Sequence, residues 1–175
     1  MLYSNPSAYA LESEEKNGIE TRFIKRKSYE NFEDYDKALT DLLISLRADL
    51  IVLAGFMTIL GPKVIHAFEN RIINIHPSLI PAFCGEGYYG LKVHEAALAR
   101  GVKVTGATAH FVNEICDGGP IILQQCVPIE NTDTPQTLQK RVMEQAEWNI
   151  LPRAVALFCE DKIEVIGNIT RIKGE

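Results

Sequence analysis

An asparagine and a histidine, two residues apart, stand at the end of an apolar segment near the middle of the chain. Residues 71–73 lead into Asn74, Ile75 and His76, and Pro77 follows. Because side chains alternate across a strand, Asn74 and His76 would point to the same side. A carboxamide can donate a hydrogen bond to a developing oxyanion, and an imidazole can also transfer a proton.

Pro77 predicts that the strand stops directly after this polar pair. A proline biases the preceding residue toward extended backbone and has no N–H for a sheet ladder. In open α/β sheets, ligands bind beyond the carboxyl ends of the strands. The alternative is a structural histidine after an apolar strand, and the Asn-x-His pattern alone does not separate the two interpretations.

Asp117 is a second candidate, because it precedes two glycines, Gly118 and Gly119. Glycine accepts positive φ, so this segment predicts a tight turn, and a plain hairpin is one interpretation. In the functional interpretation, Asp117 lies beside the strand ends. An ionised carboxylate there would favour the imidazolium of His76 and raise its pKa.

A third candidate follows the apolar segment 50–54. Gly55 comes next and would let backbone amides approach a ligand closely. Left exposed at a strand end, Met57, Ile59 and Leu60 would form a slot for a flat, partly apolar ligand. The alternative is that these side chains pack against the next helix.

Composition excludes several classes of function. The chain has 175 residues, which suits one domain over residues 1–175, and 46% of them are hydrophobic, enough for a core. Its net charge is −5 and its longest basic cluster is residues 25–27, which argues against nucleic-acid binding. No apolar run suits a membrane span or a signal peptide. The 4 cysteines are scattered, so we expect free thiols, a cytoplasmic protein and no metal site.

The elements alternate along the chain in a way that indicates an α/β fold. Periodicity and capping residues predict helices over residues 6–17, 31–47, 62–68, 91–100 and 135–159, and strands over 20–24, 50–54, 72–75, 105–112, 119–129 and 162–166. The alternation of strands and helices implies a mostly parallel sheet flanked by helices. The two strands on either side of residues 117–119 are expected to add an antiparallel pair. We expect strand 50–54 to be buried on both faces and Pro152 to bend or split the last long helix.

These segments, in this order, resemble the phosphoribosylglycinamide formyltransferase family, which works in purine synthesis with a folate. The resemblance runs over essentially the whole chain. The matching segments are residues 54–57, 74–79, 110–112 and 117–121. Each segment alone is weak evidence for the family, but all of them in this order are specific to it. Residues 90–95 resemble the glycinamide branch of the superfamily rather than the enzymes that formylate a tRNA.

The resemblance implies a Rossmann-like, twisted sheet and a formyl-transfer reaction. The amine of glycinamide ribonucleotide would attack the formyl carbon of 10-formyltetrahydrofolate, with no metal. The family's catalytic residues map onto Asn74, His76 and Asp117. Asn74 and a protonated His76 would stabilise the oxyanion, and Asp117 would keep His76 charged.

The resemblance also implies binding residues for both substrates. Residues that would contact the folate are Met57, Thr58, Ile59, Leu60, Asn74, Asn113, Glu114 and Asp117. Thr108 would face the site, and Glu147 would lie near the ribose of the nucleotide. The alternative for Glu147 is an exposed helix carboxylate. His110 is assigned to packing and support.

One departure from the family concerns the start of the chain. The family opens with a strand, a glycine-rich phosphate loop and a helix, whereas residues 1–5 resemble its second strand. We therefore expect an N-terminally truncated domain whose first βα unit is missing. Two alternatives stay open: a non-catalytic folate-binding remnant, or a related formyltransferase that acts on another amine, such as a sugar nucleotide.

Overall fold

The computed structural model describes residues 18–56 and 58–174, together with the backbone of Leu2–Tyr3. The chain divides into two compact units, the first formed by residues 1–48 and 60–67 and the second by residues 49–59 and 68–175. One domain over residues 1–175 stays a prediction. The predicted helix over residues 6–17 and the side chain of Met57 lie outside the described residues.

The described part of the first unit contains a short strand pair and two helices. Strand β1 (Leu2–Tyr3) pairs in parallel with β2 (Arg22–Phe23), and a 3₁₀ turn follows at Arg26–Ser28. Helix α1 spans Phe32–Ser45 and α2 spans Pro62–Ala67. These elements confirm the predicted strand near residues 20–24 and the two predicted helices.

Side-chain caps explain where the two described helices of the first unit begin. The Asn31 side chain accepts a hydrogen bond from the Asp34 N–H at 2.8 Å, which caps α1. Asp36, buried in α1, accepts from the backbone N–H of Lys63 at 2.9 Å and so caps α2. Gly61 leaves room for this cap, because a Cβ at residue 61 would lie 2.1 Å from Cγ of Asp36 and would displace its carboxylate.

The second unit is built on a six-stranded sheet in the order β3-β4-β5-β6-β8-β7. Its strands are β3 (Ile51–Leu53), β4 (Ile72–His76), β5 (Val104–Phe111), β6 (Ile121–Pro128), β7 (Ile163–Ile166) and β8 (Ile169–Ile172). Its helices are α3 (Leu91–Arg100), α4 (Pro135–Val142) and α5 (Trp148–Cys159), and a π turn (Met143–Glu147) joins the last two.

Strand directions confirm the predicted fold class. Strands β3 and β4 are parallel, as are β6 and β8, whereas β5 is antiparallel to both β4 and β6. Strand β7 is antiparallel to β8. Within the described sheet, β3, β4, β6 and β8 therefore run in one direction and only β5 and β7 oppose them. The antiparallel addition is β5–β6, as predicted, and β8 was not predicted.

The helices of the second unit pack on the sheet through one apolar cluster. The members contributed by the sheet include Ile73, Ala107, Ala109 and Phe111, and those from the helical side include Leu138, Val142, Ala146 and Ile150. Small side chains on β5 let the helix backbone approach the sheet closely. This core fixes β4 and β5, the two strands that carry the candidate polar residues.

Two expectations about single elements had different outcomes. Strand β3 is not buried on both faces, because Val52 is 42% exposed. Within the described sheet β3 is an edge strand that pairs only with β4. The long C-terminal helix is interrupted by the π turn Met143–Glu147, but Pro152 lies inside α5, so the interruption is not at the proline, where we expected it. None of the described helices has the length and apolar character of a membrane span.

Candidate active site

Two adjacent strands bring the polar candidates into register. Strands β4 and β5 pair so that Asn74 lies opposite His110 and His76 lies opposite Thr108. Opposite residues of an antiparallel pair project from the same face, so the four side chains share one face of the sheet. Strand β4 ends at His76, as Pro77 predicted.

Asp117 completes the cluster from the loop between β5 and β6. Its Oδ2 atom lies 3.5 Å from Nδ1 of His76, and its Oδ1 atom lies 3.7 Å from Nε2 of His110. The backbone N–H of Gly85 also donates to Asp117 Oδ2 at 2.8 Å. The structure thus brings Asn74, His76 and Asp117 together and adds His110 to them.

Hydrogen bonds around His110 fix the orientation of Asn74. Nδ1–H of His110 donates to the carbonyl of Phe111 at 2.8 Å, so its Nε2 atom is an acceptor. Nδ2 of Asn74 donates to that Nε2 atom at 3.2 Å. One N–H of the Asn74 amide is thereby used for orientation, and the second N–H can donate to a ligand. The predicted supporting role of His110 is consistent with this contact.

His76 is buried and its pKa is lowered, which corrects one expectation. Burial is the largest influence and lowers the pKa, while the hydrogen bond to Phe83 and the charge of Asp117 raise it. The attraction to Asp117 has the predicted sign, but desolvation of the imidazolium outweighs it. His76 is therefore neutral near pH 7 in this state, and the expectation that Asp117 keeps it charged is wrong.

The loop after β4 holds the other nitrogen of His76. Nε2–H of His76 donates to the carbonyl of Phe83 at 2.9 Å. Phe83 adopts φ 50° and Gly85 adopts φ 86°, so this loop turns sharply at the site. The contacts of the Phe83 carbonyl with His76 and of the Gly85 N–H with Asp117 were not predicted. Backbone carbonyl and N–H groups do not depend on residue type, so they leave no signal in the sequence.

Asp117 is ionised despite its partial burial. Burial is the largest single influence on the pKa of Asp117 and raises it. The nearby His110 ring, the hydrogen bond from the Gly85 N–H and the nearby His76 ring more than offset that effect and bring the pKa of Asp117 below its ordinary value. The cluster therefore pairs an ionised carboxylate with a neutral imidazole that can accept a proton.

Thr108, a predicted substrate residue, is fully buried and supports the loop after β4. Its hydroxyl donates to the carbonyl of Ser78 at 2.6 Å and accepts from the N–H of Ile80 at 3.1 Å. The side chain of Gln124 donates both to the Ile80 carbonyl and to the Thr108 hydroxyl. A direct contact between Thr108 and substrate stays a prediction.

Glu147, the other predicted substrate residue, is the last residue of the π turn. It is only partly exposed, so the alternative of a fully solvated helix carboxylate does not describe it. Burial raises the pKa of its carboxyl group. No hydrogen-bond or ion-pair partner of this carboxyl group is found within the described part of the chain. Its contact with a ribose stays a prediction.

The predicted folate residues divide into exposed and buried ones. Ile59 is 70% exposed and Glu114 is exposed, so both are open to a ligand. Leu60 is only 9% exposed and belongs to the first unit, so the expectation of an unburied Leu60 is wrong. Asn113 uses its side chain within its own loop, accepting from Ile115 N–H at 3.0 Å. Thr58 is partly exposed.

Metal binding was not expected, and that expectation stays a prediction. Over residues 18–56 and 58–174, no three side chains of His, Cys, Asp or Glu are arranged to hold a metal ion.

Comparisons with known proteins agree with the resemblance seen in the sequence. The model of the family described as "Formyl transferase" matches residues 1–155. The phosphoribosylglycinamide formyltransferase of Haemophilus influenzae is 38% identical over 100% of this chain and 80% of that protein. The trifunctional purine biosynthetic protein adenosine-3 of Homo sapiens is 40% identical, but the chain spans only 17% of its length.

Solved structures extend this agreement to the fold. Glycinamide ribonucleotide transformylase 1 from Symbiobacterium toebii has a TM-score of 0.91 and 38% identity, over 98% of this chain and 78% of that one. A formyltetrahydrofolate deformylase from Pseudomonas syringae has a TM-score of 0.78 and 30% identity, over 94% of this chain and 53% of that one. The predicted family is confirmed: the chain belongs to the phosphoribosylglycinamide formyltransferase family.

Proposed function

We propose that the chain transfers the formyl group of 10-formyltetrahydrofolate to the amine of glycinamide ribonucleotide in de novo purine biosynthesis. Family membership supports a folate-derived formyl donor and small-molecule substrates. The observation that carries the proposal is the cluster of Asn74, His76 and Asp117 at the carboxyl end of β4. We propose that the reaction takes place in the cytoplasm, because the 4 scattered cysteines are typical of proteins from a reducing compartment.

Asn74 would stabilise the charge that forms during attack. When the amine adds to the formyl carbon, the formyl oxygen becomes an oxyanion. One N–H of Asn74 is held by His110 and the other is available as a donor. A donor that is already oriented costs no reorganisation at the moment of reaction, and such donors are worth roughly 10²–10³ in rate.

His76 would move the proton between the two nitrogens of the reaction. The attacking amine must lose a proton, and N10 of the folate must gain one as the C–N bond breaks. A neutral imidazole can accept the first proton, and Asp117, 3.5 Å from Nδ1, would stabilise the imidazolium that forms. Donation from Nε2 would require the acceptor at Phe83 to exchange for substrate.

Binding residues are assigned from the resemblance and from exposure. Within the second unit we assign folate contacts to Thr58, Ile59, Asn113, Glu114 and Asp117, with Met57 and Leu60 kept as predictions from sequence. Glu147 is assigned to the nucleotide, whereas Thr108 is fully buried and its contact with the nucleotide is kept as a prediction from sequence. A partly buried carboxylate without a described partner can accept hydrogen bonds from two ribose hydroxyls, which supports the assignment of Glu147.

A comparison of acceptors tests the proposal. The purified chain is incubated with 10-formyltetrahydrofolate and either glycinamide ribonucleotide, an amino-sugar nucleotide, or no acceptor, and products are followed by mass spectrometry. We expect a formylated product with glycinamide ribonucleotide only. Transfer to the sugar amine, or hydrolysis without an acceptor, would assign a different reaction. Folate binding in calorimetry without any transfer would identify the non-catalytic alternative.

A further inference from the structure

The π turn Met143–Glu147 interrupts an otherwise continuous helical segment. Wider turns of this kind are rare, and they occur frequently at functional sites. Ala146 is fully buried in the core cluster together with Ala107 and Ala109 of β5. Glu147 follows directly, partly exposed and without a described partner. The turn thus has one residue fixed in the core and the next one presented at the surface.

Two side chains hold the carbonyl group of Gln145, in the middle of the turn. The side-chain amide of Gln125, on β6, donates a hydrogen bond to this carbonyl. The side-chain amide of Asn149, on α5, donates to it at 2.8 Å. A carbonyl oxygen has two lone pairs, so it can accept from both of these donors. Of the two donors, only Gln125 comes from outside the helical segment.

Neighbouring glutamines of β6 support irregular segments on opposite faces of the sheet. The side chain of Gln124 reaches the loop after β4, at the Ile80 carbonyl and the Thr108 hydroxyl. The side chain of Gln125 reaches the π turn instead. This division follows from the alternation of side chains along a strand. Gln124 therefore supports the segment beside His76, and Gln125 supports the segment that carries Glu147.

We propose that Gln125 is a positioning residue for the amine substrate, because its side-chain amide holds the π turn in the geometry that presents Glu147. The inference rests on the proposed function, in which Glu147 binds the nucleotide. If the turn relaxed to a regular α-helix, the register would change by one residue. Each residue of an α-helix rotates by about 100°, so the Glu147 side chain would leave its present direction.

Three variants and one matched control test this role. Gln125→Met and Gln125→Glu keep the length of the side chain and remove its donor, whereas Gln125→Lys keeps a donor. Gln136→Met makes the same change at an exposed position of α4. We expect the KM for glycinamide ribonucleotide to rise roughly threefold to tenfold in the first two, as loss of one hydrogen bond allows. In those two variants, kcat and the KM for the folate should stay within about twofold of the values of the unchanged chain. The KM for glycinamide ribonucleotide should return to its original value in Gln125→Lys and should stay unchanged in Gln136→Met.

Backbone hydrogen exchange of residues 143–151 supplies a second readout that needs no activity. Faster exchange in Gln125→Met, but not in Gln136→Met, would support the role of Gln125 even if the unchanged chain formylated a different amine. An unaltered nucleotide KM and unaltered exchange in Gln125→Met would overturn the inference. An equal loss of kcat for every substrate, with a lowered unfolding midpoint, would also overturn it, because it would mean a general loss of structure.

Discussion

At the scale of single residues, burial and the charge of Asp117 change the pKa of His76 in opposite directions. Desolvation lowers the pKa of His76, and the carboxylate of Asp117 raises it by a smaller amount. The result is a neutral imidazole beside an ionised carboxylate, with Asn74 oriented by His110. A neutral His76 can begin the reaction by accepting a proton, and the nearby carboxylate then stabilises the charged form.

The substitution Asp117→Asn tests this balance directly. Because the carboxylate is an influence that raises the pKa of His76, its removal should lower that pKa further below the ordinary value of 6.5. The measurement is an NMR titration of the His76 ring in the unchanged chain and in the variant. A His76 pKa that rises in Asp117→Asn would show that the carboxylate does not act on this imidazole as described.

At the scale of elements, β5 links β4, which carries Asn74 and His76, to the loop that follows β4. Its residue Thr108 lies opposite His76 in the sheet, and its hydroxyl bonds two backbone groups of the loop, at Ser78 and Ile80. That loop in turn supplies the Phe83 carbonyl to His76 and the Gly85 N–H to Asp117. The position of the loop, and with it the geometry of the cluster, therefore depends on a buried hydroxyl.

Thr108→Val should disturb this link without changing the shape of the side chain. The substitution leaves the Ile80 N–H without its acceptor and the Ser78 carbonyl without its donor, so we expect a loss of about 1–3 kcal/mol in the free energy of unfolding. Urea denaturation measures the loss, and Thr108→Ser, which keeps the hydroxyl, should recover most of it. Equal stability of the valine and serine variants would contradict the supporting role.

At the scale of the whole molecule, local patterns predicted most elements and only part of the site. Helix α1 follows from its apolar spacing and the Asn31 cap, and α3 ends at Gly101, which adopts φ 74° as a helix-ending glycine does. Strand β8 was missed although the Gly167-Asn168 turn before it is a hairpin signal. The contact between Asn74 and His110 depends on long-range strand register, which spacing within one segment does not encode.

Stability of the molecule should fall in mild acid because of another buried histidine, His94. Burial, and then the charge of His76, lower the pKa of His94 to about 4, and neither of its ring nitrogens has a partner among the described residues. Between pH 6.5 and about 4, the unfolded chain binds a proton that the folded chain excludes, so stability falls as the pH falls. We expect this residue to contribute a loss of about 3 kcal/mol.

Urea denaturation at several pH values checks this expectation. The variant His94→Leu has no proton to bind at this position, so its free energy of unfolding should depend less steeply on pH between 6.5 and 4. The difference between the two pH profiles isolates His94 from the carboxylates and from His76. Parallel profiles for the unchanged chain and for His94→Leu would contradict the assignment.

The most direct test of the central claim is the rate of formyl transfer to glycinamide ribonucleotide by the chain and by His76→Ala. If His76 moves the proton, kcat should fall by roughly 10²–10⁴ in the variant. A circular dichroism spectrum unchanged from that of the original chain would show that the variant is folded. Transfer by a folded His76→Ala at a rate close to that of the unchanged chain would contradict the role given to this residue.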